Sequence, residues 1–108
     1  MVYYSKTAEN DLHDILIGLA TWKKISLSFE EAERYVRDIR KIGDTICKLS
    51  FHSNARYEIH RTYGEKICRY MRSKQTQWYI IYDWDEINKI AYVNKIMSNH
   101  TTVSEIND

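Results

Sequence analysis

The sequence predicts an α+β domain: an N-terminal strand and an antiparallel helical hairpin precede three strands, and the helices lie on one face of a mostly antiparallel sheet. Two successive stretches repeat apolar residues at helical spacing, and a serine and glutamate three residues apart open the second of them. The C-terminal half then carries runs rich in Ile, Tyr, Trp and Val, separated by polar segments.

The elements follow in chain order. Val2-Tyr3-Tyr4 is a short strand, and Ser5 or Thr7 can cap the helix that follows it. Ala8, Leu12, Ile15, Leu16, Leu19 and, at the far end, Trp22 form one stripe of that helix, while Glu9, Asp11 and Asp14 lie off the stripe near its N-terminal dipole end. Lys23 to Leu27 is short enough to fold the next helix back antiparallel. That helix opens on a capping box, Ser28 with Glu31, and its stripe runs through Ala32, Tyr35, Val36, Ile39, Ile42 or Gly43, Ile46 and Leu49. Strands are predicted over Lys66 to Arg72, Gln77 to Trp84 and Lys89 to Ile96. Turns over Ser73-Lys74-Gln75-Thr76 and Asp85-Glu86-Ile87-Asn88 join them as hairpins. Two apolar helical stripes need a flat apolar surface to cover them, and the strands supply it, which leaves the other sheet face open.

Composition bounds what such a domain does. At 108 residues, with 44% apolar and 29% charged, one core is expected over residues 1–108, with a frayed tail from Thr101 to Asp108. A chain of this size buries roughly 65% of the surface it exposes when unfolded, enough to fold without staples or metal. No run approaches the roughly 18 apolar residues of a membrane span, and the N-terminus lacks the apolar core of a secretory signal, so the expectation is a cytoplasmic protein with no membrane partner. Cys47 and Cys68 have no Cys or His at zinc spacing and predict buried thiols in a reducing compartment.

Charge is unevenly divided. Residues 1 to 46 carry seven Lys/Arg against eight acids, whereas Ser53 to Tyr79 carries six Lys/Arg against Glu58 and Glu65 alone. That basic segment is interleaved with Tyr57, Tyr63, Tyr70, Trp78 and Tyr79. Cations attract phosphates and rings stack on bases, so the pattern suits an anionic partner; it equally suits a solvated sheet face whose rings cover the core.

No phosphate-binding loop, dinucleotide fingerprint, zinc quartet, nucleophile elbow or calcium loop occurs, so most common enzyme classes lose support. The four histidines are scattered: His13 beside the polar face of the first helix, His52 and His60 in an irregular stretch, His100 after the last strand. Cleavage of RNA through its 2′-hydroxyl needs a proton acceptor, a proton donor and cations for the developing phosphorane charge. His100, Arg69, Arg72 and Tyr79 supply such groups if one cleft gathers them. Strand alternation opposes this, because Arg69 and Met71 share one face while Tyr70 and Arg72 share the other.

Tyr4-Ser5-Lys6-Thr7-Ala8-Glu9-Asn10-Asp11-Leu12, the Tyr63-Gly64 approach to the first meander strand, and Trp78-Tyr79-Ile80-Ile81-Tyr82-Asp83-Trp84-Asp85 together resemble the RelE/ParE superfamily of small bacterial toxins. The resemblance spans residues 2 to about 100, and its motifs agree in order and spacing with the elements read above. It implies the toxin of a type II toxin–antitoxin module, a growth inhibitor and plasmid-stabilisation factor held inactive by a cognate antitoxin protein. Superfamily members either cut messenger RNA on the ribosome without a metal or cofactor, or block DNA gyrase. For the RNA-cutting activity the resemblance implies Arg69, Tyr79 and His100 as catalytic residues, with Lys66 and Arg72 binding nucleic acid. Tyr79 stands where the RNA-cutting branch carries an arginine, and the net charge of +1 is far below the basic balance usual for ribosome-binding members. A protein-interaction module without toxicity, or a degenerate and weakly toxic member of the family, is the alternative.

Overall fold

In the computed structural model, which describes residues 1–21 and 27–99, the chain folds as the predicted α+β domain. The elements are β1 (Val2–Tyr4), α1 (Lys6–Thr21), α2 (Phe29–Asp44), a 3-10 turn (Ile46–Lys48), the short α3 (Glu58–Arg61), β2 (Lys66–Met71), β3 (Gln77–Asp85) and β4 (Ile90–Ser98). The four strands form one sheet in the order β1-β4-β3-β2. β1 runs parallel to β4, and the other pairs are antiparallel. Trp22, Lys23 to Ser26 and the tail from His100 onward lie outside the described residues.

Local chemistry sets the element ends. Ser5 caps α1: its hydroxyl accepts from the Ala8 N–H at 3.0 Å and donates to the Asn94 carbonyl at 3.1 Å, so one side chain starts the helix and ties it to β4. Ser28 accepts from the Glu31 N–H at 3.1 Å at the start of α2, and its hydroxyl donates to the Glu31 carboxylate. The apolar stripe of α2 continues to Leu49 in sequence, but the helix stops at Asp44. There the Thr45 hydroxyl donates to the Ile42 carbonyl at 2.7 Å, competing with the helical ladder and turning the chain into the 3-10 segment. In the last hairpin Asp85 accepts from the Ile87 and Asn88 N–H groups, both at 3.1 Å, and Lys89 adopts the left-handed conformation at φ 56.

The main core lies between the helices and the sheet. Ala8 and Leu12 of α1 and Ile39 of α2 pack with Trp78, Ile80 and Tyr82 of β3 and Ala91, Val93 and Ile96 of β4. Polar groups at its margin are partnered. The Trp78 indole N–H donates to the Tyr35 hydroxyl at 2.9 Å, and the Tyr82 hydroxyl pairs with His52 Nδ1 at 2.7 Å. His52 in turn stacks on Trp84, their centroids 4.0 Å apart. Arg40 forks onto Glu9 at 2.7 and 2.9 Å and clamps the two helices. Cys47 and Cys68 are free thiols, half-buried rather than fully buried as their composition suggested.

The second sheet face departs from expectation, because it is partly covered. The chain from residue 51 to α3 folds back over it, and Ala55 and Ile59 pack on Ile67, Ile81 and Met97. Backbone bonds from Ala55 N–H to Glu65 O (2.8 Å) and from Ile67 N–H to Ser53 O (2.9 Å) zip this segment to the start of β2. Gly64 leads into the strand so close to β3 that an added Cβ would lie 2.9 Å from the Tyr82 carbonyl oxygen. Gly64→Ala should therefore cost about 1–3 kcal/mol through backbone displacement, read as a lower urea midpoint at unchanged slope.

Candidate nucleic-acid interface

Directly opposed residues on neighbouring strands share a face, so register assigns every side chain of the sheet to one side. Arg69 stands opposite Tyr79, and Tyr79 opposite Met97, all on the side away from the two long helices. Arg69 is exposed, and its guanidinium has no ion pair or hydrogen bond among the described residues. Tyr79 is half-buried, with its hydroxyl donating to Gln77 Oε1 at 3.1 Å. A cation and a ring therefore sit side by side at the rim of the covering segment.

Beneath that rim is a histidine that the sequence did not single out. His60, on α3, is 4% exposed, and both of its ring nitrogens are buried without a hydrogen-bond partner among the described residues. Its ring leans on Tyr79 with centroids 4.7 Å apart and meets Tyr57 edge-on at 5.8 Å. Burial, and then the positive charge of Arg69, push its pKa below the ordinary histidine value, so the ring is neutral at pH 7. The local sequence carries only an isolated pair, Ala55 and Ile59 at i, i+4 spacing, too little to mark the segment as one that packs.

The remaining sequence candidates divide differently. Lys66 stands opposite Tyr82, toward the helix-side core, and its Nζ donates to Asn54 Oδ1 at 2.7 Å. Arg72 follows β2, pairs with Asp38 of α2 at 2.6 Å and lies over the Tyr35 ring at 4.3 Å. Its guanidinium ties the sheet to α2, and the Asp38 carboxyl is held below the usual carboxylate range by it. The only register shift between β3 and β4 falls at Ile81/Tyr82, and β2 runs regularly against β3 from Lys66 to Met71. Arg69 and Tyr79 are thus brought together, Lys66 and Arg72 are held elsewhere, and His100 lies outside the described residues. Among the described residues no cluster of three or more His, Cys, Asp or Glu could hold a metal ion, and no helix is long and apolar enough to cross a membrane.

His60 carries a pH dependence with a definite sign. The unfolded chain takes up a proton near pH 6.5, whereas the buried ring resists it, so stability is full above pH 6.5 and declines as pH falls toward the lower folded-state pKa. His52, whose pKa burial also lowers, adds to the same decline. His60→Phe should raise stability at pH 7 by about 1 kcal/mol, because two unpaired buried nitrogens are removed, and should flatten the decline between pH 7 and pH 5. Chemical denaturation of both proteins across that range measures it.

A scan against protein-family models finds no match to the chain, and searches of curated proteins and of solved structures find none either.

Proposed function

We propose that this protein is a toxin of the RelE/ParE type: a growth inhibitor, neutralised by a cognate antitoxin protein, that acts on messenger RNA bound to the ribosome. One observation supports the reading most: Arg69 projects from β2 without an acid partner among the described residues, directly opposite Tyr79, on the face away from the helical hairpin. A guanidinium in that position would offset charge as the 2′-oxygen attacks phosphorus and the bond to the 5′-oxygen breaks. The Tyr79 ring offers a surface on which a base stacks. His100 is the proposed proton-transfer group, and His100→Ala tests that role.

A second reading, binding and inhibition of DNA gyrase, is favoured by Tyr79 itself, which occupies the position of the arginine expected in the RNA-cutting branch. One paired experiment separates the two. Purified protein is added to translating ribosomes, with breaks in the messenger mapped by primer extension, and to a gyrase supercoiling reaction. Broken messenger with normal supercoiling supports the first reading; intact messenger with blocked supercoiling supports the second. Neither effect, together with unchanged growth on induced expression, leaves a non-toxic interaction module.

A further inference from the structure

The covering segment forms more than a lid on the sheet. Phe51, Ser53, Asn54 and Arg56 face Arg69 across an open groove of about 250 Å³. Its wall is firmly built: Ser53 and Ala55 are bonded through their backbones to β2 and its approach, Asn54 holds Lys66, and Ala55 is buried in the second core. None of the five lining residues is acidic. Like Arg69, Arg56 is exposed and forms no ion pair or hydrogen bond among the described residues. Phe51 is 76% exposed beside these two cations, and Tyr57 of the same segment is 65% exposed.

Packing of the fold explains neither the exposed Phe51 ring nor two guanidiniums left unneutralised across one groove. Together they match what an unpaired polynucleotide presents, phosphates a short step apart with bases free to stack. A duplex hides its bases and would use only the charges. We infer that the groove between Phe51 and Arg69 is a binding site for single-stranded RNA, in which Arg56 and Arg69 hold successive phosphates and Phe51 stacks on a base. The inference deepens the RNA reading of the Arg69 and Tyr79 face and rests on it. It extends the contact off the sheet, onto a segment that the sequence left as irregular.

The test uses the full chain and a labelled single-stranded hexauridine oligoribonucleotide, with fluorescence anisotropy followed across a salt series. Arg56→Ala and Arg69→Ala are each expected to lower affinity and to reduce the slope of log affinity against log salt by about 0.7, the share of one phosphate contact on a single strand. Phe51→Ala is expected to lower affinity about fivefold or more with the slope unchanged, because stacking releases no counterions. Lys74→Ala, in the β2–β3 turn and outside the groove, serves as the control and should bind as the parent does. All four side chains are exposed, and thermal melts verify that the variants fold.

Parent-like binding by both Phe51→Ala and Arg56→Ala overturns the inference, as does equal affinity for a duplex DNA of the same length. Failure of the parent protein itself to bind the oligonucleotide, while it still cleaves ribosome-bound messenger, removes this inference alone. Binding that depends on Phe51 and Arg56, with no cleavage on ribosomes, removes the function proposed above and leaves the groove standing.

Discussion

Arg69→Ala is expected to lower cleavage of ribosome-bound messenger by about 100-fold or more while leaving the melting temperature unchanged within error. The two halves of this prediction have separate causes. Arg69 is exposed and unpaired among the described residues, so truncating it breaks no contact that supports the fold. It is also the only arginine within β2 or β3, and it stands opposite the Tyr79 ring. Arg69→Lys should restore part of the activity, because a point charge still attracts phosphate but lacks the planar fork that holds two oxygens. Arg72→Ala should behave in the opposite sense. Its guanidinium joins Asp38 and covers Tyr35, so its loss should lower stability more than it lowers cleavage. Equal loss of cleavage in both variants would show that the cations act through bulk charge rather than position.

Asp11→Ala is expected to destabilise the domain by about 3 kcal/mol, a fall in melting temperature on the order of 15 °C. β1 is short, and its pairing with β4 ends at Tyr4 and Val93, so the next stretch of β4, paired with β3 on one edge, has no strand on the other among the described residues. Asp11 fills that place from α1. One carboxylate oxygen accepts from the Ile96 N–H at 3.0 Å, and the other meets Lys95 Nζ at 3.0 Å. The pair is well shielded, with side-chain exposures of 13% for Asp11 and 21% for Lys95. Removing the carboxylate strands a backbone donor and a shielded ammonium together, and the second orphan is the costlier. Asp11→Ala combined with Lys95→Met should recover part of the loss, since the unpaired charge goes with the lysine. A single-variant cost below about 0.5 kcal/mol would mean that water replaces the carboxylate at no penalty.

These two residues also show where sequence reading reached and where it stopped. Ser5, Ser28 with Glu31, and Asp85 act within a few residues of themselves, so the helix starts and the last hairpin turn were legible from local chemistry. The helical stripes and the three strand runs likewise carried the layer architecture. Asp11 looked like a dipole-favouring residue on a helix surface, because its partner lies 85 residues away and depends on how short β1 is. The cover on the second face was invisible for a related reason. Ala55 and Ile59 are too sparse to set a period, and what they bury, Ile67, Ile81 and Met97, comes from three different strands.

The site divides along the same line. Alternation along β2 separated Arg69 from Arg72 correctly, since period-two geometry is local. The opposition of Arg69 and Tyr79 depended on the register of the β2–β3 hairpin, which the polar run from Ser73 to Thr76 does not specify on its own. His60 belongs to the site only because α3 swings it under Tyr79, a consequence of the chain reversal between residue 51 and β2. Arg56 and Phe51 acquire meaning the same way, from a groove that exists only once the segment is zipped to the strand.

Whether the Arg69 and Tyr79 face acts on RNA is decided by primer extension on messenger recovered from translating ribosomes incubated with the purified protein. Discrete breaks within the translated region are expected, present with the parent protein and absent with folded Arg69→Ala. Uncut messenger at a protein concentration that arrests growth would contradict it.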